Sequence, residues 1–294
     1  LNRMEGVFVP SEFNRTTFLE NGVKVPVHVV PHIAREAKDV PGGPAWGAVE
    51  DDDYVFYTIG TWTMRKAMED TIRAYLAAFD ANDPVALIVK TDAIDHISLA
   101  RVPSRQRDEA PPHVGMVWWT LARILSEHPN PPKIHLVADR VEPGEIDRLH
   151  TRADCYLSLT RSEGWGLGSF DAALFGNPVI ITGWGGQLDY LGAEHPYLVR
   201  YTLEATHRFQ KDGTFLQSET ARWARADAGH AGELMRRVFE SRDEARDIGR
   251  GLQSDVLRRF AHAKVARSLA GHLGFEFAES GVEFADTPQS AELP

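Results

Sequence analysis

The chain has 294 residues, 43% of them hydrophobic and 25% charged, which is typical of a globular protein with one or two α/β domains. Its formal net charge of −10 argues against nucleic acid as a partner, because phosphate backbones are bound by basic surfaces. The single cysteine, Cys155, excludes an intramolecular disulfide framework. There is no run of about eighteen apolar residues and no signal peptide, so we expect a cytoplasmic protein without a membrane span.

The beginning of the chain predicts a strand, a helix and a second strand. Apolar residues favour short strands at 6–10 and 27–31. Between them, 14–21 predicts a helix that has Ser11 as its N-cap. The stretch 41–53 is rich in proline, glycine and acidic residues, which is the composition of a linker, and it predicts a domain boundary.

Strands and helices then alternate, which predicts an α/β fold with a doubly wound, Rossmann-like parallel sheet. The predicted strands are 54–59, 85–90, 133–137, 153–159, 178–182 and 197–201. The predicted helices are 64–79, 113–127, 143–149 and one of two turns that begins near Gly168 or Ser169. Trp118 and Trp119 are expected to pack in the core or between domains. From Ala221 to about Gly274, apolar residues at helical spacing predict a helical C-terminal segment.

A glycine-rich turn follows the predicted strand at 153–159 and leads into the short helix. Glycine removes the side chain, so backbone N–H groups there can approach a ligand closely. The first-turn amides and the macrodipole of the helix favour phosphate, so a diphosphate fits this end. The residues of this predicted anion site are Gly164, Gly166, Leu167, Gly168 and Ser169.

Two acidic residues, Glu163 and Asp171, flank the turn. Each carboxylate can accept hydrogen bonds from vicinal hydroxyl groups, as the acid of a Rossmann fold does from a ribose. An amide cradle for an anion between two hydroxyl-binding acids describes a site for a nucleotide sugar. In the alternative interpretation, both acids only stabilise the start of a helix.

The segment 162–180 resembles the E-x7-E region of retaining glycosyltransferases with the GT-B fold, particularly family 4 with its group 1 domain. Glu163 matches the first acid and Asp171 the second, with Asp in place of the usual Glu and Gly168 in place of the usual Pro. The resemblance implies that Glu163 contacts the donor sugar and Asp171 the ribose. It also implies transfer, with retention of configuration, from a UDP- or GDP-linked sugar to a saccharide, lipid or protein acceptor.

A second patch follows the predicted strand 54–59. Gly60 and Thr61 form a turn, and Arg65 and Lys66 come at the predicted start of the next helix, where cations can neutralise a diphosphate leaving group. Lys66 matches a lysine of the family, while Thr61 stands where the family has an arginine, so Arg65 is expected to supply that charge. We therefore predict Glu163, Lys66 and Arg65 as catalytic residues. The alternative is that both cations are solvated on a helix surface.

Two further predictions concern the base and metals. Arg140 follows the predicted strand 133–137, and the carboxyl ends of parallel strands are where ligands bind in such sheets, so its backbone is expected to hold the base. The twelve histidines show no metal-ligand spacing, and we predict neither a metal nor a cofactor.

The same resemblance divides the chain into three parts. Residues 1–48 resemble the end of an N-terminal acceptor domain plus a linker, 49–275 a complete C-terminal nucleotide-sugar-binding domain, and 276–294 an acidic tail. Acceptor-binding residues are therefore expected to be missing. This leaves open a non-catalytic nucleotide-sugar-binding module, or a half-enzyme that needs a partner or a missing domain. It also leaves open peripheral association with the inner face of a membrane.

Overall fold

The computed structural model describes residues 1–35, 49–210 and 213–275. Most of the predicted linker and the whole of the predicted tail lie outside these residues. The N-terminal unit comprises strand β1 (Val7–Val9), helix α1 (Glu12–Glu20) and strand β2 (Val27–Val29), and its two strands form a parallel sheet of their own. Ser11 is the N-cap of α1, as predicted, and accepts a hydrogen bond from the amide of Asn14. The division of the chain into domains stays a prediction.

A six-stranded parallel sheet forms the body of the protein. Its strands are β3 (Tyr54–Ile59), β4 (Val85–Lys90), β5 (Lys133–Val137), β6 (Cys155–Ser158), β7 (Val179–Thr182) and β8 (Leu198–Val199). They lie in the order β5-β4-β3-β6-β7-β8, which confirms the predicted doubly wound sheet. The order reverses between β3 and β6, and ligands of such sheets bind outside the carboxyl ends of the strands at this point.

Helices cover both faces of the sheet, so its central strands are mostly apolar and buried. Phe56 and Leu87 point to one face, where they pack with the helices before β4 and after β8. Tyr57 and Ile88 point to the other face and pack with the helices that follow β5 and β6. Adjacent residues of one strand therefore belong to two different cores, because side chains alternate across a strand.

The helices between the strands are α2 (Met68–Ala78), α3 (His96–Arg101), α4 (Val117–Ser126), α5 (Pro143–Arg152), α6 (Leu167–Leu174) and α7 (Leu188–Leu191). Neither α3, nor the 3-10 helix Ser104–Glu109 after it, nor α7 was predicted from the sequence. The predicted start of α2 at residue 64 is wrong, because the helix begins four residues later, at Met68. Trp118 and Trp119 on α4 are each about half exposed, so they do not lie in the core, and the predicted alternative of a contact between domains stays a prediction.

A long antiparallel hairpin, β9 (Tyr201–Phe209) and β10 (Phe215–Ala226), follows β8. The predicted helical segment is therefore wrong for 221–226, which lie in β10, where the ring of Trp223 is buried beside Arg161. The remainder is helical as predicted: α8 (Ala228–Glu240), α9 (Arg242–Arg259) and α10 (His262–His272). Among the described residues, no helix is long and apolar enough to cross a membrane.

Candidate functional site

The two predicted patches meet where the strand order reverses. Gly60 and Thr61 follow β3, and Glu163 lies in the loop after β6, the direct neighbour of β3 in the sheet. Because both strands run in the same direction, their carboxyl ends lie at one edge. The structure thus brings together residues that are about a hundred positions apart in sequence.

The Glu163 carboxylate is buried and is bound by three donors. Lys66 Nζ lies 2.6 Å from Oε1, and Arg65 Nη1 lies 3.1 Å from Oε2. The hydroxyl of Thr160, which is completely buried, donates to Oε1 at 2.9 Å. Arg65 also donates to the carbonyl oxygen of Ser162 at 2.6 Å. Two cations face one carboxylate, so the cluster carries one net positive charge. Sequence reasoning missed Thr160, since nothing in the local pattern distinguishes it.

Arg65 and Lys66 lie in a turn that precedes α2, which corrects their predicted place on the helix. Ala67 adopts the left-handed conformation with a φ of 50° and donates its amide to the Thr63 carbonyl, so α2 begins only at Met68. The Arg161 amide donates to the Arg65 carbonyl at 2.8 Å. The turn thus directs both cations back to Glu163, which a regular helix from residue 64 does not do.

The glycine-rich loop leaves the backbone amides of the predicted anion cradle free of acceptors in the described part of the chain. Gly166 is left-handed with a φ of 86°, and α6 begins at Leu167. Within the ranges that the structure describes, the amides of Gly164 to Ser169 donate to no protein acceptor. Consecutive free amides at a helix start are a site for an anion.

Gly168 is required by its contact with Tyr156 on β6. A Cβ atom at residue 168 would lie 2.8 Å from the Tyr156 hydroxyl and 3.3 Å from Cζ. The first distance is too short for a Cβ atom unless the buried Tyr156 ring shifts, and the second is tight. This contact gives the physical reason for glycine at a position where the family pattern has proline.

Ser169 contributes only its backbone to the cradle. Its side chain is buried and bonds to the Gly166 carbonyl at 2.9 Å and to the Tyr190 hydroxyl at 2.6 Å. Trp165, which sequence reasoning missed, is buried against the rings of Phe170, Tyr190 and Phe260. These contacts anchor the loop in the core, so the free amides are held by packed side chains.

Asp171 lies on α6 and is paired with Arg35 at 3.2 Å. Arg35 also contacts Asp147 on α5 at 2.7 Å, and it was not among the predicted site residues. The Asp171 side chain keeps about a quarter of its surface exposed. Its second carboxylate oxygen accepts no hydrogen bond from the described part of the chain, so it can still accept one.

A cleft of about 540 Å³ opens at the carboxyl ends of β3, β4 and β5. Gly60, Thr61 and Arg140 line it, together with Lys90 and Ile146. Lys90 Nζ donates to the carbonyl oxygens of its neighbours Thr91 at 2.7 Å and Asp139 at 3.0 Å. The cleft therefore joins Gly60, beside Lys66, to Arg140, and places three of the predicted donor-binding residues together.

Acidic residues at the other end of the sheet do not form a comparable site. Within the described ranges, Glu50, Asp52 and Asp53 are the group whose ligand atoms lie close enough to surround an ion. Lys133 Nζ already lies 3.0 Å from Glu50 and 2.9 Å from Asp53. The predicted absence of a metal stays a prediction.

No known protein-family model and no curated protein matches the chain. Solved structures do match it in fold. HepE of Anabaena, solved with UDP and glucose, has a TM-score of 0.64 at 14% identity and covers 93% of this chain. Sucrose-phosphate synthase of Thermosynechococcus elongatus has a TM-score of 0.58 at 17% identity and also covers 93%. The glycosyltransferase WaaG, involved in lipopolysaccharide biosynthesis, has a TM-score of 0.59 at 12% identity and covers 90%.

The match covers only part of each neighbour. The chain spans 64% of HepE, 58% of the sucrose-phosphate synthase and 61% of WaaG. At these identities the likeness concerns the fold, and it confirms the predicted GT-B architecture. The predicted membership of family 4 is not tested by it.

Proposed function

We propose that this chain binds a nucleotide-diphosphate sugar and transfers the sugar to an acceptor. The observation that supports this most directly is the meeting of Lys66 and Arg65 with the free amides of 164–169 at the reversal point of the sheet. Cations and oriented amides stabilise the charge that develops on a departing diphosphate. The roles of the individual residues below are part of this proposal.

The diphosphate lies between the cluster around Glu163 and the start of α6. Glu163 neutralises only one of the two cations that it contacts, so a positive charge is left for the phosphates. The amides and the dipole of α6 add to it. Lys66 then has two functions, since it orients Glu163 in the free protein and stabilises the leaving group in the reaction.

The nucleoside occupies the cleft beside Gly60, and Asp171 binds the ribose through its free oxygen. The base lies near the backbone of Arg140 at the end of the cleft. Two structural neighbours, HepE and TarM, were solved with UDP, so uridine nucleotides are the first to test. The donor sugar lies over Glu163.

Transfer with retention agrees with the state of Glu163. A carboxylate that is bound by Lys66, Arg65 and Thr160 is a poor nucleophile, so we propose that the acceptor attacks on the face from which the diphosphate leaves. NMR of the product measures the anomeric configuration. A product of inverted configuration would contradict this part of the proposal and leave donor binding intact.

Titration calorimetry with UDP, GDP and ADP tests the proposed site. We expect one of them to bind and to raise the unfolding temperature. Lys66→Met should weaken its binding about ten- to a hundredfold, because a charge-assisted contact to phosphate is lost. The matched control is Lys133→Met, which also removes a lysine from an ion pair, at the amino end of the sheet. Equal effects of the two substitutions, or no binding at all, would contradict the proposal.

A binding module, or a half-enzyme that needs a partner, is the second candidate. It is favoured by the coverage, since more than a third of HepE has no counterpart in the residues compared. Donor hydrolysis and transfer to added saccharides distinguish the two functions. Binding of a nucleotide sugar without turnover supports the module, and turnover by the chain alone excludes it.

A further inference from the structure

The turn that carries Glu163 is held by two parts of the chain that are distant in sequence. The Gly186 amide donates to the Glu163 carbonyl oxygen at 2.8 Å. Ser11, the completely buried N-cap of α1, donates its hydroxyl to the Gly164 carbonyl oxygen, also at 2.8 Å. A Cβ atom on Gly186 would lie 2.6 Å from the Ser11 hydroxyl, so both donors approach from the same side.

The orientation of these two carbonyl groups determines where the amides of the turn point. The described residues contain no cis peptide bond, and in a planar trans peptide the C=O and N–H groups point in opposite directions. The amides of Gly164 and Trp165 therefore point away from Gly186 and Ser11. Neither amide donates to an acceptor in the part of the chain that the structure describes.

The Gly164 carbonyl is closely surrounded by Gly186 and Asn14. A Cβ atom on Gly186 would lie 2.0 Å from this oxygen, and one on Gly164 would lie 3.0 Å from the Asn14 side chain. The Ser11 oxygen already accepts the Asn14 amide at 3.2 Å, so its single proton is free to be donated. Asn14 Oδ1, at 2.9 Å, is the other acceptor within reach.

We propose that Ser11 is a positioning residue for the diphosphate: it holds the Gly164 carbonyl on one side and thereby directs the Trp165 amide to the anion on the other. This inference rests on the proposed function. Without the hydroxyl, the Gly164 carbonyl loses its donor. The peptide group between Gly164 and Trp165 can then rotate. An amide would then turn away from the phosphates, and a carbonyl oxygen would turn towards them.

Calorimetric titration of Ser11→Gly with UDP and with uridine tests the proposal. Glycine is an acceptable N-cap, so α1 loses little stability while the hydroxyl is removed. We expect the affinity for UDP to fall about tenfold, the scale of one hydrogen bond to a charged group. The affinity for uridine, which has no phosphate, should stay the same. Ser11→Thr keeps the hydroxyl and should bind both as the wild type does.

Asp227→Gly is the matched control, because Asp227 caps α8 through the amide of His230. Asp227→Gly should leave the ratio of the affinities for UDP and uridine unchanged. An unchanged UDP affinity in Ser11→Gly, or an equal loss for UDP and uridine, would overturn the inference. If Ser11→Gly does not fold, Ser11→Ala replaces it. If neither variant folds, the role of Ser11 is not confined to one hydrogen bond, and the inference is contradicted.

The wild type separates this inference from the proposed function. A wild type that binds none of UDP, GDP and ADP contradicts the proposed function and the inference with it. If GDP or ADP binds in place of UDP, the same ratio is measured with that nucleotide and its nucleoside. A wild type that binds, with no selective loss in Ser11→Gly, contradicts the inference alone.

Discussion

At the scale of single residues, the site depends on side chains that satisfy one another before any ligand binds. Glu163 is buried, and a buried carboxylate is stable only when donors surround it. Lys66, Arg65 and Thr160 supply those donors. The two charged partners, Lys66 and Arg65, were already predicted from the sequence as functional residues. Thr160 acts through a buried hydroxyl, which only the folded chain brings to Glu163.

Replacement of Thr160 by valine should destabilise the protein. Thr160→Val keeps the shape but removes a buried donor from the Glu163 carboxylate, so we expect the free energy of unfolding to fall by about 1–3 kcal/mol. Thr160→Ser keeps the hydroxyl and is the control. Urea denaturation measures both. If the valine and serine variants were equally stable, the hydrogen bond would have no net effect on stability.

His150 should make the stability of the protein depend on pH. Burial lowers the pKa of His150 to about 3 in the folded protein, below the pKa of about 6.5 of an exposed histidine. The unfolded chain therefore binds the proton more readily than the folded one. The contribution of His150 is complete above pH 6.5 and is lost as the pH falls towards 3, by about 1.4 kcal/mol per pH unit.

Urea denaturation between pH 7 and pH 4.5 measures this loss as the difference between the wild type and His150→Asn. The variant lacks the titrating ring, so the difference removes the contributions of the other acids and bases. A difference that does not change with pH would contradict the prediction. His150 Nδ1 lies 2.7 Å from the Tyr57 hydroxyl, so some constant loss of stability in the variant is expected.

At the scale of elements, the strands could be predicted more accurately than the helix starts. The predicted strands 54–59, 85–90 and 133–137 agree with β3, β4 and β5. Continuous apolar runs, which are characteristic of buried parallel strands, mark β3 and β4 in the sequence. The start of α2 could not be predicted. The left-handed Ala67 is stabilised by the contacts of Arg65 and Lys66 with the loop after β6, which lies far away in sequence.

The contact between Gly168 and Tyr156 should make the start of α6 intolerant of side chains. Gly168→Ala places a Cβ atom 2.8 Å from the Tyr156 hydroxyl, and overpacking of this kind costs about 1–3 kcal/mol of unfolding free energy. Tyr156→Phe removes the nearest atom, so the double variant should recover part of the loss. Thermal or urea unfolding of the four proteins gives the coupling energy.

Gly251 on α9 provides the control for this cycle. Apart from its own helix, no part of the described chain lies within 4 Å of a Cβ placed there, so Gly251→Ala should be neutral or stabilise by up to about 1 kcal/mol. A Gly168→Ala variant that is as stable as Gly251→Ala would show that α6 moves to accommodate the methyl group. A double variant with no recovery would exclude Tyr156 as the cause.

At the scale of the whole molecule, the N-terminal unit and the large sheet contact each other at several points around the site. Ser11 contacts Gly164, and Arg35 contacts Asp171. The His272 ring of α10 also contacts this unit, with its centroid 4.5 Å from that of the His28 ring on β2. The residues on both sides of the glycine-rich loop are thus fixed from outside the sheet.

Cys155 should report on the unfolding of the whole molecule. It lies on β6, is completely buried, and burial raises the pKa of its thiol well above the usual range. A thiol reagent should therefore react with it only when the central sheet opens. Ser126→Cys adds an exposed cysteine as a control that should react at once. Complete labelling of Cys155 in native buffer on the same timescale would contradict the burial of β6.

The local sequence pattern was sufficient to predict the alternation of strands and helices, the parallel sheet and the glycine-rich loop beside Glu163. These features depend on neighbouring residues, through hydrophobic periodicity and the conformational freedom of glycine. The partners of that loop depend on tertiary structure. Lys66, Ser11 and Gly186 reach it only because parallel strands end at one edge and α1 packs there. Contacts between residues so far apart in sequence leave no local signal, and they are what position the amides and charges of the site.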